Sequence, residues 1–110
     1  MPTTETQIAL NMQAMRASAT EACRMMKVLS NPDRLLLLCQ MAQGEICVSD
    51  LEARVGIGQP TLSQQLGVLR AQELVDTRRD GKNIYYQISN PKTLAIMSVL
   101  YEQFCTSQTE

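Results

Sequence analysis

Four cysteines, Cys23, Cys39, Cys47 and Cys105, are the side chains of this 110-residue chain best suited to covalent or metal chemistry, and no histidine accompanies them. A thiolate is both a nucleophile and a soft-metal ligand. A thiol oxidoreductase or peroxidase would pair two cysteines as Cys-x-x-Cys, or pair one with an imidazole, and the chain has neither arrangement. No catalytic residue is therefore expected. Zinc, nickel and cobalt usually take imidazole or a complete thiolate set, so no metal site and no cofactor are expected either. Three thiolates could still hold cadmium, lead or trivalent arsenic. Two further readings stay open: thiol oxidation as a signal, and plain burial, since free cysteine is among the most buried residue types.

Compartment bears on these readings. The start, MPTTETQIAL, has no basic segment followed by an apolar one, and the longest apolar run, Leu35 to Cys39, is far short of a membrane span. A cytoplasmic protein without membrane contact is expected. Thiols there stay mostly reduced, and a disulfide is usually a sensing or catalytic event.

A second group of residues points at nucleic acid. Net charge is −1 overall, but residues 54–92 hold six Lys/Arg against three Asp/Glu, while the remainder holds four against eight. Within the basic segment lie two polar clusters. Thr61, Ser63, Gln64 and Gln65 sit among the leucines Leu62, Leu66 and Leu69. Arg78, Arg79, Lys82 and Asn83 surround Asp80-Gly81. Amide and hydroxyl side chains suit base edges, and a glutamine can bind adenine through two hydrogen bonds. Basic residues at the tip of a two-stranded ribbon suit phosphates or a minor groove. Either cluster alone is as readily a solvated surface. Their coincidence with the local positive charge favours double-stranded DNA as partner.

The elements that must position these residues follow from periodicity. Ile8, Met12, Met15, Ala19, Ala22 and Met26 recur in steps of three and four, which predicts a long amphipathic helix, or two nearly collinear ones, over 8–29. Asn31-Pro32 reads as a helix N-cap and first residue, opening an almost wholly apolar helix that ends at Gly44. Ser49-Asp-Leu-Glu52 reads as a capping box, Gly56-Ile57-Gly58 as a tight turn, and Gln59 to Ala71 as a second short helix. Residues 49–71 thus predict a helix-turn-helix. Over 75–88, two β-prone runs flank Asp80-Gly81, which predicts a hairpin closed by a type I′ turn. Asn90-Pro91 opens a last helix, to about Cys105, striped by Leu94, Met97, Leu100, Tyr101 and Phe104. The expected fold is mainly α with a small β-hairpin. It is a single winged helix-turn-helix domain over 1–110, with a helix added at each end.

Residues 20–105 closely resemble the ArsR/SmtB-type repressors. The segments NPDRLLLL, VSDLEA, LSQQLGVLR and RRDGKNIYY match that family in order and spacing. The resemblance implies a homodimeric DNA-binding repressor whose terminal helices, 8–29 and 91–105, pair across a two-fold axis. Gly58 departs from the family's frequent serine cap, and Gln65 from a common histidine. One family metal site uses Cys-x-Cys, where this chain has Cys47-Val48-Ser49; another uses histidine, which this chain lacks. Cys39 and Cys105 look instead like the dithiol pair of the sulfide-responsive BigR/SqrR branch, with the redox-regulated HlyU proteins also similar. That likeness implies an inducer among reactive sulfur species or oxidants, which bridge the two thiols and release the operator. A soft-metal or arsenite-responsive repressor using thiolate ligands is the alternative.

Overall fold

The computed structural model describes residues 8–105. Five helices and three short strands follow in the order α1 (Met12–Leu29), α2 (Pro32–Ala42), β1 (Ile46–Cys47), α3 (Val48–Val55), α4 (Thr61–Ala71), β2 (Val75–Asp80), β3 (Asn83–Ile88) and α5 (Pro91–Phe104). The antiparallel sheet has the order β1-β3-β2. This is a winged helix-turn-helix: α3 and α4 form the helix pair, and β2 and β3 form the wing.

Asparagine opens three of the helices. Asn11 accepts hydrogen bonds from the N–H groups of Gln13 and Ala14, Asn31 from Arg34, and Asn90 from Lys92 and Thr93. Each satisfies donors that the first helical turn leaves unpaired. The capping box expected at Ser49 does not form. Helix α3 starts earlier, with Cys47 at the cap position and no side-chain cap bond. Ser49 lies inside the first turn, where its hydroxyl meets the Cys47 thiol at 3.3 Å. β1, which pairs Ile46 with Tyr86 and Cys47 with Tyr85, extends the strand ladder up to the residue before α3. This early pairing removes the freedom a capping box needs.

The wing turn also differs from expectation. Asp80 pairs with Asn83, so the two turn residues are Gly81 and Lys82. Gly81 has φ +65°, and Lys82 is not among the positive-φ residues. A type I′ turn needs positive φ at both positions. Glycine at the first position alone matches the II′ form.

The core gathers under α2. Leu37, Leu38, Leu51, Leu62 and Leu69 are fully buried, with Met41, Leu66, Tyr86 and Met97 closing around them. Burying each leucine contributes about 1.5–3 kcal/mol. Leu38→Ala is expected to cost about 2–5 kcal/mol, read as the shift of a denaturant midpoint at constant m-value. The terminal helices are different. Of the expected α1 stripe, Ile8 lies before the helix, and Met12, Met15 and Met26 are exposed on it. On α5, Met97 is buried, whereas Leu94, Tyr101 and Phe104 are exposed. The exposed residues of these stripes are not used by the subunit's own core.

Candidate DNA interface and dithiol groove

Helix α4 turns Leu62, Leu66 and Leu69 into the core, which fixes where its polar residues point. Gln64 is exposed on the opposite side. Ser63 is exposed and held from the preceding turn: the Gln59 side-chain oxygen accepts from the Ser63 N–H at 3.2 Å and from its hydroxyl at 2.6 Å. Gln59 thereby serves the helix start that Pro60, at the cap position, cannot serve with a side chain. Thr61 is half-buried at the first turn. Gln65 is half-buried as well, and its amide oxygen accepts from Arg34 of α2 at 2.9 Å. The four expected contact residues of α4 are therefore not equivalent, and Gln64 is the one most freely presented.

Between α3, α4 and the wing runs an open groove of about 480 Å³. Ser63, Gly67 and Arg70 line it from α4, and Lys82 and Asn83 from the wing tip. The fold thus brings three of the expected contact residues, from two elements, to one concave surface. Arg70 joins them unforeseen; its only signal in sequence was its place in the basic segment. A Cβ built on Gly67 meets nothing within 4 Å, so internal packing does not demand glycine there.

The two wing arginines diverge because strand neighbours face opposite ways. Arg78 forms a two-pronged ion pair with Glu45, its Nε donating to Oε2 at 2.7 Å and Nη2 to Oε1 at 2.8 Å. Its guanidinium also lies 4.5 Å from the centre of the Tyr85 ring. Hydrogen bonds from Arg78 hold the Glu45 carboxyl below the usual carboxylate range. Arg79 is exposed on the other face of the strand.

The remaining chemistry lies on the far side of α2. A groove of about 670 Å³ between α2 and α5 is lined by both Cys39 and Cys105, together with Gln40, Gln43, Met97 and Tyr101. Both thiols are free and half-buried. Burial pushes the Cys39 thiol pKa up, and the charge of Cys105 pushes it further the same way. Cys23 is exposed on α1 and Cys47 sits at the start of α3. Among the described residues, no three Cys, Asp or Glu side chains come together as a metal site.

Comparison with known proteins agrees with this architecture. Residues 31–77 match the family model described as bacterial regulatory protein, arsR family. The biofilm growth-associated repressor of Xylella fastidiosa strain Temecula1 is 46% identical over 96 residues, covering 87% of this chain and 84% of that protein. The chain belongs to the arsR family. The crystal structure of the repressor BigR from Xylella fastidiosa superposes with a TM-score of 0.84 at 44% identity, covering 88% of this chain and 99% of that one. Reduced HlyU from Vibrio cholerae N16961 gives a TM-score of 0.81 at 31% identity, covering 86% and 99%.

As an arsR-family protein the chain is a DNA-binding transcriptional regulator. No helix among its described residues is long and apolar enough to cross a membrane. Gln64→Ala is expected to change base preference at the position it reads, by about 1–3 kcal/mol of lost discrimination. Affinities for a set of single-base operator variants check this; a loss uniform across the set removes Gln64 as a reader.

Proposed function

We propose that this regulator is a homodimeric repressor that binds its operator when Cys39 and Cys105 are reduced, and leaves it when reactive sulfur or an oxidant bridges them. The observation that carries the reading is the shared groove: two thiols, one on α2 and one at the C-cap of α5, far apart in sequence, line one cavity. The names of the Xylella relatives support repression as the mode of regulation.

The chemistry balances without a cofactor. The Cys39 thiolate attacks the sulfane sulfur of a low-molecular-weight persulfide, forming Cys39–S–SH and releasing the donor's thiol. The Cys105 thiolate then attacks the Cys39 sulfur and expels hydrosulfide, leaving a disulfide. The cysteine pair is oxidised by two electrons, and the sulfane sulfur leaves reduced. A peroxide reaches the same bridge through a sulfenic acid.

The dimer in this reading uses the exposed apolar faces of α1 and α5. Apolar residues gathered on one exposed helix face mark an interaction site, whereas single scattered ones do not. Because Cys105 caps the end of α5, a bridge to α2 acts at the interface that sets the spacing of the two α4 helices. The test is peptide mapping of the bridge coupled to an operator-binding measurement on the same sample. A bridge elsewhere, or a bridged dimer that still binds, refutes the assignment.

A further inference from the structure

One guanidinium joins three helices. Arg34 stands in the first turn of α2, directly after the Asn31 cap. Its Nε donates to the Val28 carbonyl at 2.6 Å, in the last turn of α1, and its Nη1 donates to the Gln65 side-chain oxygen on α4 at 2.9 Å. The Val28 carbonyl is one of those a helix end leaves without an internal partner. Arginine has no acceptor, so the amide oxygen of Gln65 must be the atom that faces it. The planar fork lets one side chain hold both oxygens at a fixed angle.

Gln65 lies beside the buried row Leu62, Leu66 and Leu69, and is half-buried where Gln64 is exposed. A glutamine that reads adenine must offer an acceptor and a donor together. Here the amide oxygen is turned toward Arg34 of α2 and away from the face that presents Gln64. We propose that Gln65 is a positioning residue, not a base reader, and that Arg34 acts through it to set α4 against the ends of α1 and α2. This rests on α4 being the helix that contacts DNA.

Two substitutions separate positioning from reading. Gln65→Glu keeps the acceptor for Arg34 but replaces the amide N–H donors with an oxygen. Gln65→Met keeps the length and removes the acceptor. Binding of the reduced full chain is measured with a pool of duplexes randomised over roughly 20 base pairs, enough for two half-sites one helical turn apart. Gln65→Glu is expected to bind within about threefold of the parent, because a carboxylate is an acceptor at least as strong. Gln65→Met is expected to bind about tenfold more weakly on every sequence, since it strands a half-buried donor. Neither is expected to alter the enriched base preferences. A Gln65→Glu loss greater than that of Gln65→Met, a parent-like Gln65→Met, or a shifted base preference in either overturns the proposal. Should Gln65→Met fail to fold in a thermal melt, Arg34→Lys serves instead. It keeps the charge but not the fork, and the same uniform loss is expected, with parent-like binding again overturning the proposal. Gln64→Ala run in parallel separates the two levels. If it shifts preference while the Gln65 variants do not behave as stated, α4 still reads DNA and only the positioning role falls. If no α4 variant changes binding at all, the α4 reading falls with it.

Discussion

Treating the reduced protein with an organic persulfide is expected to join Cys39 to Cys105 with a net loss of about 2 Da and to weaken operator binding by about 100-fold. Cys39→Ser and Cys105→Ser are each expected to bind DNA like the parent and to stay bound after treatment. The magnitude follows from geometry. In the proposed dimer, two α4 helices meet successive major-groove faces about 34 Å apart, so a small rotation at that interface misplaces both. Cys39 and Arg34 share α2, five residues apart, or about 7.5 Å of helix rise. A bridge that draws α5 toward α2 therefore acts on the helix that carries the guanidinium holding Gln65. Thiol titration gives an independent check. Cys39 is raised first by burial and second by the charge of Cys105, so its alkylation rate is expected to keep climbing beyond the pH at which an ordinary thiol levels off. Below its pKa the rise is about tenfold per pH unit, because the thiolate is the reactive form. In Cys105→Ser the curve is expected to move to lower pH yet remain above the ordinary value, since the larger cause is untouched. A Cys39 titration indifferent to Cys105→Ser would place the two sulfurs too far apart to bridge.

Much of this architecture was legible in the residues, for identifiable reasons. Asn31-Pro32 and Asn90-Pro91 are local signals whose chemistry is complete within four residues, and both open helices in the structure. The leucine row of α4 fixes its inward face by periodicity alone. What escaped depends on partners distant in sequence. β1 has only two residues, too few for any alternation to register, and exists because β3 offers it a ladder. That pairing also displaced the capping box at Ser49. Gln65 reads like its neighbour Gln64 until α2 brings Arg34 against it, 31 residues away. Arg78 and Arg79 likewise look alike in a string, and only the strand pleat, with Glu45 waiting on one side, distinguishes them. That Cys39 and Cys105 line one groove was legible only through family resemblance, because nothing local to either residue marks it.

The wing is expected to bind DNA through Arg79 and Lys82, with Arg78 held back by Glu45. Each phosphate contact contributes about 0.9 to the slope of log affinity against log salt, and a dimer carries two wings. Arg79→Ala and Lys82→Ala are each expected to flatten the slope by about two units and to lower affinity at least about tenfold at low salt. Arg78→Ala is expected to leave the slope nearly unchanged. Its charge is already neutralised by a carboxylate that stays ionised at neutral pH, because the same hydrogen bonds hold Glu45 below its ordinary range. Releasing counterions from DNA requires a cation that is free to approach the phosphate. Glu45→Gln is the sharper test. It removes the nearer of the two carboxylates facing Arg78, leaving Asp80 Oδ2 3.9 Å from Nη1, and keeps the size and an amide acceptor. Arg78 is then more available, and the slope is expected to steepen by up to about two units, with tighter binding at low salt. The pair is largely exposed, with side-chain accessibility of 53% for Arg78 and 28% for Glu45, so folding stability is expected to change little. An Arg78→Ala slope that flattens as much as that of Arg79→Ala would show the guanidinium exchanging Glu45 for phosphate on binding. In that case Glu45→Gln should tighten binding without steepening the slope, because the contact is already made in the parent complex.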